Sequence, residues 1–250
     1  MDPLLKQTFL DRWPRYFGAA PLPLTFYYTD EEKGGERAIP GKVHRCLIGS
    51  FARILAGHAL CFDAASVGCP GGRRYCGFSD TLMPGFNHFL SYGIPGKVEG
   101  ERYKKDPETV ARVMAQAPKL PAPTRFLVLK RWDLLEADEE PLAVVFVATP
   151  DVLAGLFTLA GYAEDRSQSV ITPFGAGCGT AIQHPHLEQL SDAPRCVLGG
   201  FDPSARPFLP AHTLTFGVPM KKFVSMVADM DESFLITPTW ERMRKRIGGG

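Results

Sequence analysis

The sequence predicts an α/β protein built on a mixed sheet, with an α+β arrangement as the alternative. Short runs of β-branched and aromatic residues recur along the 250 residues, and such runs are typical of strands. Segments with apolar residues at helical spacing lie between them. Hydrophobic residues make up 45% of the chain and charged residues 22%. That composition indicates an ordinary folded protein rather than a disordered chain.

The first half of the chain is predicted to alternate strands and helices. Residues 22–28 form a strand, followed by an exposed, glycine-rich loop. Apolar spacing over 44–57 predicts a helix whose first turn contains Cys46. A short apolar stretch and the glycine-rich turn VGCPGGRRYCGF come next. A second helix is expected to begin at Asp106 and Pro107, because an acidic N-cap and a proline suit a first turn.

The second half is predicted to repeat this order. Two apolar strands, RFLVLKRW and LAVVFVA, are joined by an acidic turn that indicates a hairpin or a sheet-edge connection. A helix opened by Pro150, the strand SVITPF and the glycine-rich turn GAGCGT follow. A last helix follows Pro219.

This recurring order predicts one domain over 1–250 that contains two half-repeats, 20–130 and 140–240, about a pseudo-twofold axis. Cys69 and Cys178 are expected at equivalent positions, because each lies in a glycine-rich turn some 40 residues before a helix opened by proline. Residues 247–250 are predicted to be a flexible tail.

Charge and hydropathy exclude several classes of partner. The formal charge is +1, so the protein has no net electrostatic field that would attract nucleic acid. No apolar run is long enough to span a membrane, and the N-terminus lacks the pattern of an export signal. We therefore expect a cytoplasmic protein with reduced cysteines. The expected partner is a small molecule or a metal, and a homodimer is left open.

Two cysteines have surroundings that favour a thiolate. Glycine amides flank Cys69 and Cys178, two arginines follow Cys69, and Cys178 is expected near the start of a helix. A thiolate either binds metal or acts as a nucleophile, whereas a tight turn around an inert, buried cysteine is the structural alternative. Neighbouring residues are predicted to help bind a cofactor: Gly71, Gly72, Arg73, Gly177 and Gly179.

The sequence leaves the roles of several other residues open. No CxxC pair occurs, so the spacing supports neither a zinc ribbon nor a thioredoxin-like site. His184 and His186 are either auxiliary ligands, a general base or ordinary histidines at a turn. Arg195 and Arg206 either line a pocket for a carboxylate or phosphate or pair with nearby aspartates at the surface.

Five segments together carry a family resemblance: RCLIGSFARILAG, VGCPGGRRYCGF, GAGCGTAIQHP, RCVLGGFDPSARPF and TFGVPMKKF. On these motifs the chain resembles the domain of unknown function 169 family of archaea and bacteria. The resemblance implies an α/β fold and an intracellular protein, and brings no established substrate. The cysteines that match the family pattern are Cys46, Cys69, Cys178 and Cys196. Cys61 and Cys76 lie outside it, which implies that they pack in the core.

The leading prediction is that Cys46, Cys69, Cys178 and Cys196 converge on a metal, either an iron–sulfur cluster or zinc, in a protein with a redox or small-molecule role. One alternative is a thiol enzyme in which Cys69 or Cys178 attacks a small anionic substrate held by arginines. Another is a non-catalytic module that binds a small ligand.

Overall fold

The computed structural model describes residues 1–39 and 46–247. Its described strands form one mixed sheet in the order β2-β3-β4-β1-β5-β8-β7-β6. Helices cover this sheet, which confirms the predicted α/β class. The strands are β1 (Leu24–Thr29), β2 (Glu36–Arg37), β3 (Leu60–Phe62), β4 (Phe126–Arg131), β5 (Ala143–Ala148), β6 (Val170–Ile171), β7 (Cys196–Gly199) and β8 (Leu214–Pro219).

Proline begins many of the helices, because its fixed φ suits the first turn and its missing N–H is not needed there. Asp106 caps one of them by accepting a hydrogen bond from the Thr109 N–H at 2.7 Å, as predicted. The helices are α1 (Pro3–Phe17), α2 (Phe51–Leu55), α3 (Pro70–Tyr75), α4 (Phe86–Phe89), α5 (Pro107–Gln116), α6 (Pro150–Ala160), α7 (His184–Leu190), α8 (Met220–Asp229) and α9 (Pro238–Arg244). A π-helical turn, Gly179–Gln183, runs directly into α7.

Alternation along the central strands separates two cores. Phe126 and Val128 of β4 point to a face that we call the α1 face, whereas Leu127 and Leu129 point to the opposite α7 face. Side chains of α1, α6, α8 and α9 fill the core of the α1 face. Side chains of α2 and of the π-helical turn before α7 fill the core of the α7 face. Both faces of the sheet are therefore buried.

The predicted hairpin between β4 and β5 is wrong. β1 lies between these two strands and is antiparallel to both. After β4 the chain turns through a 3₁₀ helix, Trp132–Leu134, and the Trp132 indole is buried in the α1 face. The backbone N–H of Trp132 donates to the Pro23 carbonyl at 2.9 Å, which holds this turn against the start of β1. The acidic segment thus crosses the end of β1.

The strand order is the same when it is followed from either edge. β2 and β3 are parallel neighbours, as are β6 and β7, and each inner strand, β4 or β8, is antiparallel to the strands on both of its sides. β1 and β5 meet antiparallel at the centre. Each strand of the first half therefore has a counterpart at the same place in the order of the second half. The half-repeats 20–130 and 140–240 themselves stay a prediction.

In this strand order Cys69 and Cys178 do not lie at equivalent positions of the two halves, so that prediction is wrong. Cys178 lies in the connection between β6 and β7, whereas Cys69 follows β3. The residue in the corresponding connection between β2 and β3 is Cys46. Likewise Pro107 begins a helix between β3 and β4, but Pro219 ends β8. The cause is the long connection that contains α3, α4 and α5, for which the second half has only a short loop and one 3₁₀ turn.

Two predicted segments fall partly outside the described residues. Of the helix predicted over 44–57, positions 44 and 45 are not described; the remainder is a 3₁₀ turn, Leu47–Ser50, followed by α2. Gly57 ends it at a φ of +100°, where glycine is favoured. In the predicted tail 247–250, residues 248–250 are not described. None of the described helices is both long and apolar enough to span a membrane.

Candidate thiol site

Cys46, Cys76 and Cys178 pack on the α7 face, and Cys69 precedes the short helix α3 that Cys76 ends. Cys46, Cys69 and Cys76 each lie close enough to Cys178 for their charge to raise its pKa. The charge of Cys69 likewise raises the pKa of Cys46 and that of Cys76. We call these four residues the thiol site. Three distant stretches of the chain contribute to it.

Cys178 is the second residue of the helical segment that starts at Gly177 and continues through the π-helical turn into α7. The Gly177 N–H donates to Asp202 Oδ2 at 3.1 Å. Asp202 Oδ1 in turn accepts hydrogen bonds from the Ser204 N–H and hydroxyl, at 3.0 and 2.8 Å. The loop after β7 therefore caps the helix that carries Cys178, as the sequence predicted for a cysteine near a helix start.

The glycines predicted to bind a cofactor have packing roles here. A Cβ atom on Gly179 would lie 3.1 Å from the Tyr75 ring, and one on Gly177 would lie 2.8 Å from the Ala205 Cβ. The helix start can therefore approach α3 and the loop after β7 only because it carries no side chain at these positions. Gly71 and Gly72 lie within α3. Cofactor binding by these residues stays a prediction.

Cys69 and Cys76 mark the two ends of α3. Cys69 is the extended N-cap residue, half-buried, and Cys76 is the C-cap residue, fully buried. The predicted tight turn is thus a short helix, because Pro70 suits its first position and the two following glycines are compatible with helical backbone. The Tyr28 hydroxyl donates to the Cys76 carbonyl at 2.9 Å, which ties the end of α3 to β1.

Cys46 directly precedes the Leu47–Ser50 turn and is half-buried. Burial raises the pKa of its thiol, although the N–H groups of Ile48 and Gly49 act in the opposite direction. Backbone donors at a helix start favour a thiolate, as the sequence indicated. Here the desolvation of the Cys46 thiol outweighs these donors, so its pKa is raised.

The expected thiolate character is wrong for Cys178. Burial raises the pKa of Cys178 well above its ordinary value, and the neighbouring cysteines and Asp202 raise it further. Burial, followed by the charge of Cys69, also raises the pKa of Cys76, and burial together with Cys178 raises that of Tyr75 to about 12. Cys46, Cys76 and Cys178 therefore stay protonated at neutral pH unless a cation compensates them.

Cys196 does not join the other three predicted ligands. It begins β7 with its side chain in the α1 face, where its Sγ lies 3.9 Å from Met226 Sδ. Cys61 points to the same face. The sheet separates both from the thiol site, because side chains one residue apart along a strand lie on opposite faces. The prediction that Cys196 converges with the others is wrong for this reason.

The predicted arginines make their hydrogen bonds elsewhere. Arg73 Nε donates to the Val67 carbonyl at 2.8 Å, and Arg74 Nη1 to the Asp80 carbonyl at 2.7 Å. Arg195 pairs with Glu188 at 2.7 Å rather than with an aspartate. The guanidinium of Arg206 donates to backbone carbonyls, among them Ala211 at 2.7 Å. These contacts show that the arginines stabilise the backbone or side chains next to them.

His186 was expected at a turn, but both His184 and His186 belong to α7. Only 5% of His186 is exposed, and its ring lies 5.5 Å from the Tyr28 ring. Within the described part of the chain, its Nδ1 has no hydrogen-bond partner. Burial lowers the pKa of His186 from 6.5 to about 4. This neutral histidine packs at a tilt against the ring of Tyr28, whose hydroxyl binds the Cys76 carbonyl, a relation that sequence spacing does not reveal.

As they stand, no three His, Cys, Asp or Glu side chains among residues 1–39 and 46–247 form a ready set of metal ligands. The thiol site is a group of neighbouring thiols rather than a finished coordination sphere. Its arrangement can supply sulfur ligands, or a pair of thiols, to a thiophilic group that enters it.

The family model of DUF169, described as uncharacterised ArCR, matches residues 19–229. This range contains every strand of the sheet and the four cysteines of the thiol site. No curated protein and no solved structure matches the chain. The family match confirms the resemblance that the cysteine and glycine motifs carried. The chain therefore belongs to the DUF169 family.

Proposed function

We propose that this protein binds a thiophilic metal centre, an iron–sulfur cluster or zinc, through Cys46, Cys69 and Cys178, and uses it in a redox or small-molecule role. One observation carries the proposal. Sulfurs from three separate stretches of sequence come within electrostatic range of one another on one face of the sheet.

Electrostatics supplies the driving force for a cation. Ionised cysteines at this site repel one another, and burial adds a desolvation penalty to each charge. A metal ion removes both penalties, because it replaces the protons and is itself the largest local charge. Metal binding at this site should therefore release protons.

Rotation about χ1 is the motion that would bring these sulfurs towards a metal. A change between staggered χ1 rotamers moves a cysteine sulfur by roughly 3 Å. Each of the three cysteines lies at the beginning of a helical segment and none is in the sheet. The sheet and the core of the α1 face can remain unchanged while these side chains rotate.

A thiol enzyme is the second candidate, and one observation favours it. Cys69 is half-buried, whereas Cys178 is buried. The arginines that would hold an anionic substrate are, however, bound to backbone carbonyls or to Glu188. Iodoacetamide labelling at several pH values distinguishes this candidate, because a nucleophile gives one cysteine that reacts fast at low pH.

Cobalt titration of the reduced, metal-free protein tests the proposal. We expect wild type to bind Co²⁺ with thiolate-to-metal charge-transfer absorption. Cys46→Ser, Cys69→Ser and Cys178→Ser should each weaken binding by at least about 100-fold, because each removes a ligand rather than an outer-shell contact. Cys61→Ser is the matched control on the α1 face, and it should bind as wild type does.

Two results would overturn the proposal: wild type that binds neither cobalt nor iron, or an equal loss of binding in Cys61→Ser. Far-ultraviolet circular dichroism of each variant separates a lost ligand from a lost fold. If Cys178→Ser unfolds, Cys178→Ala and the more exposed Cys69→Ser carry the test.

A further inference from the structure

We infer that Arg74 binds an oxyanion, the phosphate or carboxylate group of a small ligand, and that this anion is the counter-charge which the chain itself does not supply. The inference is independent of the proposed metal centre. Arg74 and Cys76 are two positions apart on α3, so their side chains lie on nearly opposite sides of the helix. Arg74 therefore points away from Cys76 and forms a site of its own.

Arg74 carries a buried charge. Only 6% of the residue is exposed, and its Nε is shielded from solvent. An arginine near a surface normally buries its aliphatic stem and keeps the guanidinium in water. The shielded Nε shows that part of the charged head group is removed from water here. Such desolvation is costly unless a partner compensates the charge.

The other two buried cations of the described chain are both neutralised. Lys130 pairs with Glu139, and Lys222 pairs with Glu164. Arg74, in contrast, forms no ion pair with any aspartate or glutamate of the described residues. It therefore breaks the rule that the rest of the molecule follows.

No carboxylate side chain is left elsewhere in the sequence to neutralise Arg74. The positions that are not described, 40–45 and 248–250, contain neither aspartate nor glutamate. The acidic residue in contact with Arg74 is Asp80, but the contact is made by its backbone carbonyl, which accepts a hydrogen bond from Arg74 Nη1 at 2.7 Å. The compensating anion therefore has to come from another molecule.

The guanidinium keeps the edge that recognises oxyanions. Its contact with Asp80 uses Nη1, whereas Nε has no hydrogen-bond partner among the residues described. The Nε and Nη2 donors lie side by side in the planar group and fit two oxygens of one carboxylate or phosphate. The hydroxyls of Ser79 and Thr81, on either side of Asp80 and 2.8 Å apart, are further donors on the same loop. Asp80 and Thr81 are exposed, so a small anion can approach from solvent along this loop.

Arg73 offers a matched control for Arg74. It directly precedes Arg74 on α3 and also donates to a backbone carbonyl, that of Val67, at 2.8 Å. This contact uses its Nε, so the edge that Arg74 leaves unpartnered is occupied in Arg73. Arg73→Met therefore removes the same charge from the same helix without removing the proposed site.

The experiment titrates inorganic phosphate and, separately, acetate into the full chain at constant ionic strength, with calorimetry and thermal unfolding as readouts. We expect wild type and Arg73→Met to bind phosphate and to melt at a higher temperature in its presence. Arg74→Met should bind at least about 10-fold more weakly, because a charge-assisted, bidentate contact is lost. Arg74→Lys should also bind weakly, since it keeps the charge but not the planar fork. The stabilisation that phosphate gives to any protein surface is what Arg74→Met retains.

Thermal unfolding in chloride alone is the second readout. Arg74→Met should melt no lower than wild type, because it replaces an unpaired buried charge with an apolar side chain of similar length. A clearly lower melting temperature would contradict the inference, since it would show that the guanidinium already has its partner within the chain.

Equal binding of phosphate and acetate by wild type and by a folded Arg74→Met would overturn the inference, as would an equal loss of binding in Arg73→Met. So would wild type that binds neither anion. Tighter binding of phosphate supports a phosphorylated ligand, and tighter binding of acetate supports a carboxylate. None of these results depends on the cysteines, so the proposed metal centre is tested separately by the cobalt titration.

Discussion

Replacing Glu139 with alanine is expected to lower the free energy of unfolding by about 3–5 kcal/mol, because it leaves a buried ammonium group without its counter-charge. The Lys130 Nζ donates to both carboxylate oxygens of Glu139, at 2.7 and 2.9 Å. Each side chain is only 4% exposed. The Tyr27 hydroxyl and the Glu136 N–H donate to the same carboxylate. Three charged or polar groups therefore depend on one side chain.

Urea denaturation of wild type and variant measures this loss. The matched control is Asp133→Ala, which breaks the partly exposed pair with Arg131 and should cost about 0–1 kcal/mol. The two pairs lie next to each other in sequence, at the end of β4 and the turn after it. Equal losses in the two variants would contradict the account of this buried network.

Acidification is expected to destabilise the wild-type protein more than His186→Gln. In the unfolded chain this histidine takes up a proton as the pH falls below 6.5, whereas in the folded protein burial keeps it neutral until about 4. The unfolded state therefore binds more protons over this interval, so the stability that neutral His186 contributes is complete above 6.5 and decreases towards 4. At about pH 5 the difference should be on the order of 1–2 kcal/mol.

Unfolding in urea at several pH values, for both proteins, measures this difference. His58→Gln is the control, because it makes the same substitution at a half-exposed histidine beside Glu36. A His186→Gln variant that loses stability between pH 6.5 and 4 as steeply as wild type would show that His186 is not buried in its neutral form.

Local patterns predicted many elements well. β1, β4 and β5 follow from their β-branched and aromatic runs, and α5 and α6 follow from their prolines. Local patterns missed β2 and predicted β6 as a longer strand over SVITPF, because two-residue edge strands have a weak sequence signal. Their existence depends on neighbours elsewhere in the sheet.

The candidate site was predicted in part. Cys46 and Cys178 pack on the α7 face, whereas the convergence of Cys46, Cys69 and Cys178 on a metal stays a prediction. Cys196 was misplaced because the side of a sheet on which a residue lies depends on strand register, and no local motif specifies register. Cys76 packs in the core of the α7 face, as the resemblance implied, and α3 packs on the helix start at Gly179 through Tyr75, far away in sequence.

Metal and acid-labile sulfide analysis of the protein isolated without oxygen tests the central claim most directly, because it asks whether the thiol site binds a metal centre at all. The proposed function predicts a bound thiophilic metal, either iron together with sulfide or zinc, at about one centre per chain. Protein that contains neither iron nor zinc, and that takes up neither after reduction and reconstitution, would contradict the account.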